Sequence, residues 1–234
     1  MHRFDSLISE LYGLFPEDWW LKEYQSFSNA DFSNGLRTQI SIYEDALCNL
    51  DENAWSMFKE KVTKLFKQNS SRRGKHQFFN QLNESFAYKY LKTRGCNNIM
   101  FLHERGSIGI KTSDLSFEEN SANGLCEVKT IGVSDEELDR YEKGEVFSTT
   151  VYRELGEGFF NKLGSLIENA LSKMQEPIEK KLIFFVVHFD DLTLSFFPGY
   201  EKEIIRFVSS EYPSIEIYFQ IGLNVEKGIH YIPQ

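Results

Sequence analysis

The sequence predicts an α/β fold, with the element order αβββαβ over residues 75–234 and a helical region over residues 1–74 before it. Three observations carry this. Apolar residues recur at three-or-four spacing through the first 75 positions, short strand patterns replace them beyond residue 95, and Leu182 to Phe189 is a continuous apolar run. Such a run suits a strand buried on both faces.

In the first region Leu36, Ile40, Tyr43 and Leu47 mark one helix and Trp55, Phe58, Val62, Leu65 and Phe66 another, with Asp51 as the expected N-cap of the second. Gln68 to Gly74 is polar and reads as a linker or loop. A helix over Lys75 to Thr93 carries Phe79, Leu82, Phe86 and Tyr90 on one face and stops at Gly95. Strands are expected at Ile99–Leu102, Ile108–Phe117 and Leu125–Ile131, followed by a polar, acidic insertion from Ser134 to Glu145. Phe160, Leu163, Ile167, Leu171 and Met174 define a long helix that ends before Pro177. After the Leu182–Phe189 strand come Leu192–Phe197, a helix near Glu201–Ser209 and a strand at Ile215–Ile221.

Composition narrows the class. With 234 residues, 41% apolar and 15% aromatic, the chain has ample material for a core. No apolar run approaches the ~20 residues of a membrane span, and the acids at Asp5 and Glu10 do not fit a signal peptide. Cys48, Cys96 and Cys126 lack the paired spacing of a disulfide framework or a zinc knuckle, so the expected location is the cytoplasm. The net charge is −9, but residues 59 to 94 hold ten Lys or Arg against Glu60 and Glu84. That window carries +8 and the rest of the chain −17. Arg72, Arg73 and Lys75 within it are candidate nucleic-acid contacts, set against the alternative of a solvated helix surface.

Chemistry concentrates between residues 84 and 129. Side chains alternate along a strand, so Glu127 and Lys129 share a face roughly 7 Å apart. A carboxylate and an ammonium so placed can engage a metal-bound phosphate together. Asp114 closes the alternation Ile108, Ile110, Thr112. If its strand pairs with that of Glu127, the two carboxylates can share a hard cation such as magnesium. Glu84, on the preceding helix, is a candidate to complete the metal shell.

Lys111-Thr112-Ser113-Asp114, a short loop, and then Cys126-Glu127-Val128-Lys129-Thr130 resemble the core signature of the PD-(D/E)XK nuclease superfamily. The resemblance covers roughly residues 76–221. It implies a restriction-endonuclease-like αβββαβ core, with a mixed sheet flanked by helices. It also implies a magnesium-dependent nuclease, manganese able to substitute, in which Asp114, Glu127 and Glu84 are metal ligands and Lys129 is the catalytic lysine. Ser113 stands where many members have proline. DNA is favoured over RNA as the substrate, and the separate N-terminal region leaves room for a homodimer or a protein partner. The rival expectation is a catalytically silent nuclease-fold protein that acts by binding.

Other signals carry less. Gly156-Glu157-Gly158 with Gly164 does not fit a dinucleotide fingerprint. No pair of histidines has metal-ligand spacing. His103 is expected as a polar strand end and His188 as a core histidine. Trp19 and Trp20 are expected to pack the helical region rather than stack on bases. Lys162 is expected either to face solvent or, as the resemblance implies for that helix, to offer a polar group to the site.

Overall fold

Helical periodicity and capping decide the N-terminal elements. The computed structural model describes residues 2–28, 34–102, 112–144, 153–175, 177–189 and 196–233. Four helices, α1 (Arg3–Leu14), α2 (Trp19–Ser28), α3 (Asn34–Cys48) and α4 (Glu52–Phe66), precede α5 (His76–Thr93). Asp51 caps α4 as its position suggests: the Ala54 amide donates to Oδ1 at 2.7 Å, supplying an acceptor to a first-turn N–H that has none within the helix. Gly95 ends α5 at φ +88°, and the Cys96 amide turns back to the Leu91 carbonyl at 3.0 Å, an ending that glycine permits at little steric cost.

Among the described residues six strands follow: β1 (Asn97–Phe101), β2 (Leu115–Glu119), β3 (Ala122–Ile131), β4 (Lys180–Val187), β5 (Glu216–Ile221) and β6 (Asn224–Tyr231). They form one mixed sheet in the order β1-β2-β3-β4-β5-β6. Asn120 and Ser121, both at positive φ (53° and 67°), join β2 to β3. A two-residue connection of this kind makes an antiparallel hairpin. β3, β4 and β5 are parallel, and β6 returns antiparallel to β5. A parallel pair needs a crossover; α6 (Asp135–Lys143) and α7 (Glu157–Lys173) lie between β3 and β4, and α8 (Phe197–Glu211) between β4 and β5.

The described chain divides into two compact units, Met1–Phe101 with Phe117–Asn120 and Leu102–Ser116 with Ser121–Gln234. In the first, α5 packs on α3 and α4. Phe66 meets Phe78 edge-on, Trp20 contacts both rings, and Tyr43 stacks on Phe86. This packing draws α5 and β1 to the N-terminal side, whereas the linker composition places a boundary at residue 74. The expected linker is itself ordered: Ser70 and Gly74 exchange backbone hydrogen bonds of 2.9 and 3.0 Å.

In the second unit Leu163, Ile167 and Ala170 of α7, its C-cap Met174, and Ile204 and Val208 of α8 join Ile183, Phe185 and Val187 of β4 in one core. Burial is continuous from Leu182 to Val187, as expected for a strand with parallel neighbours on both sides.

Several expectations need adjustment. The strand expected over Ile108–Phe117 is β2, confined to Leu115–Glu119, with residues 108–111 outside the described set. Most of the Leu192–Phe197 segment is also outside it, and Phe197 begins α8. The acidic insertion contains α6, and β6 adds an unanticipated sixth strand.

Candidate active site

Strand alternation places Leu125, Glu127, Lys129 and Ile131 on one face of β3, the strand against which α7 packs. Leu125 and Ile131 join the α7 core. Glu127, between them, is 0% exposed. A carboxylate there has lost its hydration and needs compensation from the protein. Part of it comes from Lys129, whose Nζ donates to Oε1 at 2.7 Å, and part from Lys173 in the last turn of α7, which donates to the same oxygen at 2.5 Å. Asn169, one helical turn before Lys173, accepts from Lys129 Nζ through Oδ1 at 2.9 Å. Glu127 Oε2 is buried and has no hydrogen-bond partner among the described residues.

Asp114 lies immediately before β2, and its Oδ2 accepts the Val128 amide at 2.8 Å. Its backbone carbonyl accepts the Leu102 amide at 2.9 Å. The carboxylate therefore serves as a ladder acceptor on β3 where β2 stops, beside the residue that follows Glu127. Burial raises the Glu127 pKa above the usual carboxylate value, and the nearby Asp114 charge raises it further; Lys129 and Lys173 oppose both effects. Two carboxylates that repel one another, one with an orphaned buried oxygen, form an oxygen-only donor set suited to a hard divalent cation. The residues present thus fit magnesium. Among the described residues no group of three or more His, Cys, Asp or Glu is arranged to hold a metal ion. The fit rests on the Asp114–Glu127 pair, and magnesium commonly binds one or two carboxylates and completes its shell with water and phosphate oxygens.

Glu127 and Lys129 are therefore not a surface ion pair on a sheet edge. β3 lies between β2 and β4, and the Lys129 side chain is 12% exposed. Lys162 is exposed. Asn169 and Lys173 are the residues that sequence reasoning missed. Their four-residue spacing beside the Ala170 and Met174 core stripe was the available signal.

The remaining candidates lie in the first unit and are described there. Glu84 on α5 is buried, and Lys61 Nζ donates to both its oxygens, at 2.7 and 2.9 Å. Lys75 departs from the expected phosphate contact. It is 2% exposed, its Nζ donates to Asp18 Oδ2 at 2.6 Å and to the Phe66 carbonyl at 2.8 Å, and the ammonium lies 3.8 Å from the Phe66 ring centroid. Arg72 and Arg73 sit on the exposed turn closed by Ser70 and Gly74. The basic window is largely compensated in three dimensions. Lys59 pairs with Glu10, Lys61 with Glu84, Lys64 with Glu60, Lys75 with Asp18, Lys89 with Asp45 and Arg94 with Glu119. A linear charge count cannot register acids that arrive from residues 10, 18, 45 and 119.

Trp20 packs among aromatic rings, while Trp19 is half-exposed. His188 is half-buried, burial lowers its pKa, and its amide donates to the Ile131 carbonyl at 2.8 Å. His103 lies outside the described residues. No helix among the described residues is long and apolar enough to cross a membrane. Comparison of the chain with protein-family models, with curated proteins and with solved structures returns no match.

Proposed function

We propose that the chain is a divalent-cation-dependent nuclease of the PD-(D/E)XK type, acting on DNA, with Asp114 and Glu127 as cation ligands and Lys129 as the catalytic lysine. The observation that carries this reading is the Glu127 carboxylate, fully buried, with one oxygen unpartnered and with the charge of Asp114 acting on it. The run α5-β1-β2-β3, followed after α6 by α7-β4, supports it as well.

A magnesium ion bound by this pair would neutralise phosphate charge and lower the pKa of an attacking water. The chain's own residues do the rest. Lys129, held between Glu127 Oε1 and Asn169 Oδ1, presents a fixed positive charge where negative charge accumulates on the phosphoryl oxygens, with little reorganisation. Asp114 is anchored through the Val128 amide and keeps its position as the neighbouring charges change. In the hydrolysis a water oxygen bonds to phosphorus and the ester P–O bond breaks. One proton of the water passes to solvent and the other stays on the new phosphate oxygen, while the departing oxygen takes up a proton from solvent and leaves as a hydroxyl. Glu84, paired with Lys61 in the first unit, is left out of this reading. Arg72 and Arg73 are the proposed backbone contacts, and Lys75 is excluded by its burial.

The test is cleavage of plasmid and single-stranded DNA with magnesium or manganese. The wild type is expected to cut both or one of them, and Asp114→Ala and Lys129→Ala to lose activity together. Unchanged cleavage in either variant would sink the assignment. A second reading, a catalytically silent nuclease-fold protein that acts by binding, draws on the two ammoniums that meet Glu127 and offset the charges of Glu127 and Asp114 without a cation. It predicts cation-independent association with a partner and no turnover on DNA or RNA.

A further inference from the structure

We infer that Lys173 is the resting counter-ion of Glu127 and competes with a divalent cation for that carboxylate, so that cation binding requires the Lys173 ammonium to leave. This rests on the proposed cation site and adds to it a residue that sets its affinity.

The distribution of contacts on Glu127 points there first. A carboxylate offers about four lone-pair positions over two oxygens. Here both ammoniums crowd Oε1 while Oε2 is buried and receives no hydrogen bond. A pair retained only for structure would be expected to divide its donors between the two oxygens, since an unmet buried acceptor carries a desolvation cost.

Charge balance points the same way. Asp114 and Glu127 contribute two negative charges and Lys129 and Lys173 two positive ones. A divalent cation added to all four would leave a surplus of two positive charges in a largely buried site, where repulsion is weakly screened. Loss of one ammonium relieves it.

Lys173 is the one placed to leave. The Lys129 side chain is 12% exposed against 22% for Lys173. Lys173 is also the last residue of α7. The carbonyl oxygens at that helix end favour a cationic side chain, so a displaced ammonium has a nearby resting place outside the carboxylate.

The experiment is calorimetric titration of the full chain with manganese chloride, without nucleic acid. It compares the wild type with Lys173→Met, Lys173→Gln, Lys162→Met and Glu127→Gln, each first checked for a cooperative thermal transition. Lys173→Met is expected to bind manganese about tenfold more tightly than the wild type, equivalent to about 1.4 kcal/mol, and Lys173→Gln to gain in the same direction. Lys162→Met removes an exposed charge from the same helix and is expected to stay within about twofold, because surface charges are screened by salt. Glu127→Gln is expected to abolish binding. Manganese binding by Lys173→Met alone, with none by the wild type, would be the strongest support. Equal or weaker binding by both Lys173 variants overturns the inference and leaves the cation site standing, as does an equal gain in Lys162→Met. No binding by any of the proteins overturns both the inference and the cation-dependent reading.

Discussion

Two fully buried charges, one in each unit, are treated in opposite ways. In the helical unit the Lys75 ammonium has three compensating neighbours: the Asp18 carboxylate, the Phe66 carbonyl and the Phe66 ring. In the sheet unit the Glu127 carboxylate has two ammoniums on one oxygen, no hydrogen bond on the other and a second carboxylate acting on it. The first arrangement repays the desolvation of its charge and has no use for a ligand. The second leaves a demand that a cation would meet. Buried charge alone therefore does not mark a site; incomplete compensation does.

This contrast can be broken most severely at Lys75. Lys75→Met should destabilise the protein by about 3–5 kcal/mol, the cost of leaving one partner of a buried pair behind, as measured by urea unfolding. A loss below about 1 kcal/mol would show that the Asp18 pair contributes little. Lys129→Ala probes the other side. It should raise the activation barrier for DNA cleavage by about 3–4 kcal/mol with a much smaller change in unfolding free energy. Comparable losses of activity and stability would assign Lys129 a structural role.

A third test uses pH. The folded-state pKa of Glu127 is raised by burial and by Asp114, so the folded chain takes up its proton before the unfolded chain does. The stability linked to this group is fully present below the ordinary carboxylate value and is lost as pH rises through the raised one. Glu127→Gln should flatten that part of the stability–pH profile. A profile that matches the wild type would remove the strain attributed to the carboxylate. Asp51→Ala, which deletes the N-cap of α4, should cost about 1 kcal/mol and leave cleavage intact. Smallest of all, removal of Arg72 or Arg73 should leave stability unchanged. Each removal should reduce the salt slope of DNA binding by about one counterion; an unaltered slope would remove that arginine from the interface.

The parts of this comparison that were legible in the sequence are the local ones. Asp51 at the start of a periodic run announces its cap, and Glu127 and Lys129 two residues apart announce a shared strand face. Asp114 was placed near Glu127 only on condition that their strands paired; the positive-φ Asn120–Ser121 turn between β2 and β3 meets that condition. Lys173 and Asn169 reach β3 across 46 and 40 residues of sequence, and no local pattern selects the helix face that meets that strand. Lys75 misleads for the same reason. It reads as a loop cation beside two arginines, and only the chain path that brings Asp18 and Phe66 around it removes it from solvent.

The most direct test of the central claim is Glu127→Gln, with unfolding free energy and magnesium-dependent DNA cleavage measured on the same preparation at neutral pH. If Glu127 is an incompletely compensated working residue, stability should hold or rise by about 1 kcal/mol, as often follows loss of a strained functional group. Cleavage should fall at least about 100-fold. A variant that loses several kcal/mol of stability while cleaving DNA at the wild-type rate would contradict the account, making Glu127 a structural ion pair of the same kind as Lys75.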